Sequence, residues 1–197
     1  MRAYKLRRLH GLSENQRSAR VKKCRALLER AVGDAHMRML FTDKKLFTIE
    51  QVYDPQNDRL YAGNSREAEA AGRTVSRSLH PALVMVFARV SATGQTPVFV
   101  GKAVRIDKKI YLGILRNHLL RWATEHYKNG YWILQQDGAP AHRAKSTQDW
   151  CLANLPDFIS ASEWPTNSPD LNVLDFSIWA MLEQKACQKK NTLVFRL

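Results

Sequence analysis

Three aspartates are the residues of this chain best suited to chemistry: Asp43 in FTDKKLFTIE, Asp137 in WILQQDGAPAH and Asp175 in SPDLNVLDFSIW. Each lies beside an apolar segment that reads as core, where an ionised carboxylate is costly unless a positive charge meets it. Three hard oxygen ligands with no Cys or His framework point to Mg²⁺ or Mn²⁺ rather than zinc. Two such ions can activate a water and stabilise a leaving oxygen at a phosphodiester. Taken singly, an Asp at a strand end is a turn former and an Asp at a helix start is favoured by the helix dipole. It is the three together, each in an apolar setting, that point to a metal site over those plainer roles.

The elements that must bring them together are spread along the chain. Residues 37–43 and 46–53 predict two strands joined at Asp43–Lys45, with Asp43 ending the first. The apolar run 131–136 predicts a buried strand, with Asp137 directly after it. Gly138 is expected to let the chain turn sharply, and Pro140 to open a helix near 141–154. A last helix over 173–187 holds Asp175 in its first turn, with Asn172 as N-cap. Around these lie a basic helix over 13–32 capped by Ser13, strands at 82–90, 97–100 and 158–160, and a helix over 107–127 capped by Asp107. That helix turns Tyr111, Leu115, Leu119 and Trp122 inward. Residues 54–80 predict a long polar loop, and residues 161–172 another. Strands first, then alternating helices and strands, give an α/β layout with one mixed central sheet. Active sites in such folds gather at strand ends and the adjacent helix starts.

Composition bounds the partners. A chain of 197 residues can bury one full core. Its net charge of +13 favours a polyanion, either nucleic acid or an anionic membrane surface. The plain alternative is a basic soluble protein with no polyanion partner. Residues 1–35 hold ten basic residues against three acidic ones, so the helix over 13–32 is either a solvated surface helix or a DNA-facing linker. No apolar run approaches the ~20 residues that span a bilayer, so no membrane association is expected. The three cysteines, Cys24, Cys151 and Cys187, are too few and too far apart for a disulfide framework. Cys151 and Cys187 read as buried thiols. The KLRR and ARVKKCR clusters fit a nuclear targeting signal, a short and common pattern.

The strings FTDKKLFTIE, WILQQDGAPAH and WPTNSPDLNVLDFSIW resemble, in order, the catalytic region of mariner-type DNA transposases, over roughly residues 15–190. Intervals of 93 residues between Asp43 and Asp137, and 37 between Asp137 and Asp175, resemble the branch whose third ligand is Asp. The resemblance implies an RNase H-like fold and an Asp-Asp-Asp triad holding two Mg²⁺ or Mn²⁺ ions. It implies cut-and-paste chemistry on double-stranded DNA: cleavage at transposon ends, then strand transfer into TA target sites, in the nucleus. It also implies a homodimer, with the stretch 54–80 clamping the partner subunit. His142 matches the family's His in QDGAPAH and is an accessory candidate, positioning DNA or a ligand carboxylate, or else a structural histidine. Asp170, in the loop before the last helix, competes with Asp175; the family pattern selects Asp175. Trp164 and Trp179 read as core or loop-anchoring aromatics.

On this reading residues 1–35 are a basic helical linker or remnant, 36–190 the catalytic domain and 191–197 a tail. Some positions depart from the family. Lys44 stands where it has Glu, and alternation turns Lys44 away from the face of Asp43. Phe87-Ala88-Arg89 replaces Trp-Gly-Gly, which puts a guanidinium on the face of Met85 and Phe87. Val173 and Thr166 replace prolines. The paired helix-turn-helix domains of the family would lie upstream of residue 1. These departures imply a decayed or truncated element in which the triad persists. The alternative from another class is a non-catalytic DNA-binding remnant or domesticated DNA-binding protein.

Overall fold

The computed structural model describes residues 11–48, 59–74, 83–102, 106–128 and 130–188, with the backbone alone for 95–102 and 186–188. Its centre is strand β1, Met39–Thr48. The expected turn at Asp43–Lys45 does not form. Strand β2, Leu83–Ser91, pairs antiparallel with β1 from Phe41↔Val90 to Thr48↔Leu83, so Asp43 lies mid-strand opposite Ala88. The ladder satisfies backbone groups that a turn would leave to water, and DKK offers no Gly, Pro or Asn to force one. Residues 49–53 of the expected second strand lie outside the described residues. The strand expected from residue 37 begins at Met39, after a 3₁₀ helix over Gly33–Arg38.

Strand β3, Gly94–Lys102, continues the antiparallel pairing beyond β2 and is longer than the PVFV stretch suggested. Strand β4, Ile133–Gln135, lies parallel to β1 on its other side. The order β3-β2-β1-β4 makes the sheet mixed, as expected. The strand expected at 158–160 is reduced to a parallel bridge between Leu134 and Phe158.

Helix α1, Glu14–Arg30, starts at a capping box in which Ser13 and Gln16 exchange side-chain and backbone bonds. The stretch expected as a loop over 54–80 carries a short exposed helix, α2, Ser65–Ala70, capped by Asn64. Asp107 caps α3, Lys108–Ile114, which runs through a π-helical segment, Leu115–Leu120, into α4, Arg121–His126. The helix expected near 141–154 is two helices, α5 (Pro140–Arg143) and α6 (Lys145–Asn154), broken where Ala144 takes an extended ψ of 134°. The last helix opens with a π turn, Leu174–Ile178, before α7, Trp179–Gln188.

Strand alternation divides the core. Leu40, Phe87 and Leu134 face α3, α4 and α6, where Tyr111, Leu115, Leu119 and Cys151 are buried with them. On the other face Val86 and Ala88 pack with Leu174 and Trp179, while Met39 and Ile133 pack with Trp164 and Ile159. Each such side chain, fully buried, stabilises by roughly 1.5–3 kcal/mol. A one-residue slip would move every one of them to the wrong face, so the register that places Asp43 is firmly set.

Candidate functional site

Asp43 points to the face covered by the last helix and is 6% exposed. The indole Nε1 of Trp179 donates to its Oδ2 at 2.6 Å. Trp179 is also the core aromatic expected, packed edge-on against Phe47 with centroids 5.7 Å apart. Asp175 lies in the π turn one helical turn before Trp179, so both side chains address the same stretch of β1. Buried Asn172 fixes that helix start. Its Oδ1 accepts from the Leu174 N–H at 3.2 Å, as an N-cap should, and its Nδ2 donates to the Thr42 carbonyl at 3.3 Å. Asn172 thereby ties the third aspartate to the residue before the first, a restraint that Val173 cannot give.

Asp137 follows β4 as expected. Its Oδ1 accepts from the Ala139 N–H at 3.0 Å and lies 2.5 Å from the Nδ1 of His142. His142 is buried, stacks on Tyr111 at 4.0 Å, and leaves its Nε2 without a partner among the described residues. Gly138 takes no left-handed conformation; a Cβ there would sit 3.6 Å from Trp164, an ordinary contact. The turn after β4 therefore does not need glycine, contrary to the expectation. Gln135 and Gln136 are both buried beside Asp137. Tyr111 donates to Gln136 at 2.8 Å, whereas the Gln135 amide has no partner among the described residues.

The three carboxylates feel one another. Burial pushes the Asp43 carboxyl up to about 6, with the charges of Asp175 and Asp137 adding to it against the pull of the Trp179 indole. Asp175, more exposed, is also raised, by burial and by Asp137, against the hydrogen bond with Asp43 and the charge of Lys45. For Asp137, burial acts upward, but the His142 ring, the Ala139 N–H and Lys44 outweigh it and hold the carboxyl below its ordinary range. Acids raised by burial and by a neighbouring carboxylate lack positive charge, and a divalent cation would supply it. All-carboxylate oxygen donors suit Mg²⁺ or Mn²⁺. Among the described residues, however, no three acidic, His or Cys side chains stand close enough to share one ion. Asp43 and Asp175 form the nearer pair, and Asp137 is tied to His142.

Helix α1 does more than either expectation allowed. Arg20 donates to the Asn167 carbonyl at 3.3 Å, to Ser168 Oγ and to the Asp170 carboxylate, and Lys23 donates to the Trp164 carbonyl at 2.9 Å. Arg30 joins Asp157 and Glu163 at 2.6 Å each. Arg20, Lys23 and Arg30 thus tie α1 to the 161–172 loop that leads into the Asp175 helix, and Arg30 also to Asp157, whereas Arg17, Lys22 and Arg25 face solvent. Asp170 is thus engaged by Arg20. Lys45, on the Asp43 face, pairs with Glu183 at 2.7 Å. Cys151 is buried, its thiol pushed up to about 12 by burial, whereas the side chain of Cys187 lies outside the described residues. Sequence reasoning missed Trp179 as a donor, Asn172 as a cross-link, and Arg20. The four-residue step from Asp175 to Trp179 was the one legible signal.

No family model matches the chain. The Tc3 transposase of Caenorhabditis elegans is 25% identical over 152 residues, 77% of this chain and 43% of that protein. The chain therefore spans less than half the length of the curated relative it matches. The Mos1 mariner paired-end complex with Mn superposes with a TM-score of 0.73 at 16% identity, covering 98% of this chain and 56% of that one. The Mos1 transposase catalytic domain with raltegravir and Mg gives a TM-score of 0.63 at 18% identity, covering 91% and 77%. The mixed sheet with its flanking helices is the RNase H-like fold of that catalytic domain.

Proposed function

We propose that this chain, related in sequence to Tc3 transposase and in fold to the Mos1 catalytic domain, is the catalytic domain of a mariner-type DNA transposase. Its reaction would be metal-dependent cleavage of duplex DNA at transposon ends, followed by strand transfer. The observation that carries this reading is the pairing of Asp43 with Asp175 under the last helix, both carboxyls raised above their ordinary range by burial, with the charge of Asp137 adding to each. Asp43, Asp137 and Asp175 would hold two Mg²⁺ or Mn²⁺ ions, in keeping with the Mn and Mg of the Mos1 structures. Bound there, such ions would supply a hydroxide nucleophile and charge stabilisation for the leaving 3′ oxygen. The chain's own residues set the stage. Trp179 holds one oxygen of Asp43 and Asn172 anchors the start of the Asp175 helix. His142 holds Asp137 at its Oδ1, which would be the ligand oxygen nearest the ring.

The partner is double-stranded DNA, consistent with a Mos1 complex with the left transposon end and with the net charge of +13. TA target sites, a homodimer and action in the nucleus belong to the same proposal. Among the described residues, no helix is long and apolar enough to cross a membrane. A second reading, a non-catalytic DNA-binding remnant, is favoured by one observation: the engagement of Asp137 by His142, with no three ligands at shared-ion distance.

Incubation of the purified chain with supercoiled plasmid and Mn²⁺ tests both. The catalytic reading expects nicking that EDTA abolishes and that Asp175→Ala lowers at least about a thousandfold, because several kcal/mol of charge stabilisation accompany the ions. Plasmid binding unaffected by EDTA, with no nicking, would leave the second reading. Robust nicking would contradict decay of the element.

A further inference from the structure

On the sheet face turned away from Asp43, β2 sends a guanidinium into the core. Arg89 is 5% exposed. Its Nη1 donates to the His118 carbonyl at 3.0 Å, and its guanidinium lies 4.8 Å from the centroid of the Trp122 ring. Its Nε has no acceptor, and no carboxylate pairs with it among the described residues. A buried cation without a counter-charge is among the costlier arrangements in a protein interior, and guanidinium does not escape the cost by losing its proton. The stack on Trp122 and the single carbonyl offset only part of it.

Arg89 also lines an open cleft of about 340 Å³, together with Asn117, His118, Arg121, Trp122 and Glu125. That is on the order of ten water volumes, enough for a small hydrated oxyanion. Asn117 and His118 come from the π-helical segment, whose wider turn lets the His118 carbonyl meet Arg89. Glu125 is the one acidic residue of the lining, and it stands 3.5 Å from Arg121, so those two charges offset each other and the Arg89 charge remains.

We propose that this cleft is a phosphate-binding site, with Arg89 as its buried anchor and Asn117 and Arg121 as its exposed rim. With Nη1 on the His118 carbonyl and Nε buried, the Nη2 end of the guanidinium is left to donate to a phosphate oxygen, and its fixed position against Trp122 lowers the ordering cost of binding. The site lies on the opposite face from Asp43 and needs no metal, so it stands or falls independently of the transposase reading.

Titration of the ¹⁵N-labelled chain with inorganic phosphate, against chloride at equal ionic strength and with EDTA present, tests it. Saturable shifts are expected at the Asn117, His118 and Arg121 amides and the Trp122 indole. Arg89→Met should weaken the affinity about tenfold or more, as loss of a charge-assisted anchor does. Absence of saturable shifts there, or unchanged affinity in Arg89→Met, overturns the proposal. Should that variant not fold, Arg121→Gln combined with Asn117→Ala changes only exposed positions, and unchanged affinity in that pair overturns it equally. A short random duplex identifies the source. The same resonances moving, with phosphate competing, assigns the site to a DNA backbone phosphate. Response to inorganic phosphate alone assigns it to a free phosphate ion.

Discussion

Asp43 and Arg89 are one rung apart on the β1–β2 ladder, where Asp43 faces Ala88 and Thr42 faces Arg89. Had they shared a sheet face they would form an ion pair, and neither would need a partner. Alternation sends them to opposite faces instead. One face holds Asp43 and Asp175, both raised, with too little positive charge beside them; the other buries a guanidinium with no acid paired to it among the described residues. Two sites of opposite sign thus arise from a single ladder, and each keeps a charge that a ligand can meet. Position across a sheet, more than distance along it, decides which charges cancel.

The largest test of this comparison is pH. The folded value of Asp43, about 6, lies above its ordinary 3.8. Protonated Asp43 therefore favours the folded state, and that contribution is lost as pH rises from about 4 through about 6. A shift of that size corresponds to ~3 kcal/mol. Asp175, also raised, acts with the same sign, and Asp137, lowered, opposes it. Urea unfolding of the metal-free chain should thus show the wild type losing about 3 kcal/mol relative to Asp43→Asn between pH 4 and 7. Mn²⁺ at pH 7 should restore the wild type and not the variant. Parallel curves for the two proteins would mean that the carboxylates share no field, and the comparison would fail on its acidic side.

Trp179→Phe comes next. It removes a hydrogen bond to a charged group, worth about 1.5–3 kcal/mol, while keeping most of the packing against Phe47. Because the indole pulls the Asp43 carboxyl down, its removal should move that titration above 6, read from the side-chain carboxyl ¹³C shift. A downward or null shift would exclude the indole as the group that holds Asp43. On the basic side, Arg89→Met should stabilise the ligand-free chain by ~1 kcal/mol, less than an unpaired charge costs because the Trp122 stack and one hydrogen bond go with it. Arginine does not titrate in the accessible range, so that gain should be flat from pH 4 to 8 where the Asp43→Asn gain is steep. A steep profile at Arg89 would show that the two faces are coupled.

Much of this was legible in the sequence, for identifiable reasons. Period-two and helical patterns placed β2, β4 and the α3–α4 helix, and the caps at Ser13, Asp107 and Asn172 were read from local chemistry that the structure bears out. The mid-strand position of Asp43 was not legible, because DKK reads as a turn until the β2 partner is known. The break at Ala144 and the π turn before α7 carry no local signal in the sequence. At the candidate site, the three aspartates were nameable from type and setting. The inward role of α1 was hidden, since a basic helix reads the same whether its arginines meet solvent, DNA or the acids and carbonyls of a distant loop.

That helix carries the smallest predicted effect. Arg20 meets Asp170 with side chains 19% and 62% exposed, so solvent screening leaves the pair worth no more than about 1 kcal/mol. The same guanidinium also holds Asn167 and Ser168, and the loop runs from there through Asn172 into Asp175. Arg20→Ala should therefore lower unfolding stability by under ~1 kcal/mol. Loosening the third aspartate should weaken Mn²⁺ binding about threefold, the order of change that a lost fraction of a kcal/mol gives. Arg17→Ala, which removes an exposed arginine of the same helix, should change neither. If both substitutions reduce Mn²⁺ affinity equally, α1 acts on the acidic face only through net charge. If Arg20 alone matters, the loop it grips is part of what keeps the carboxylates together.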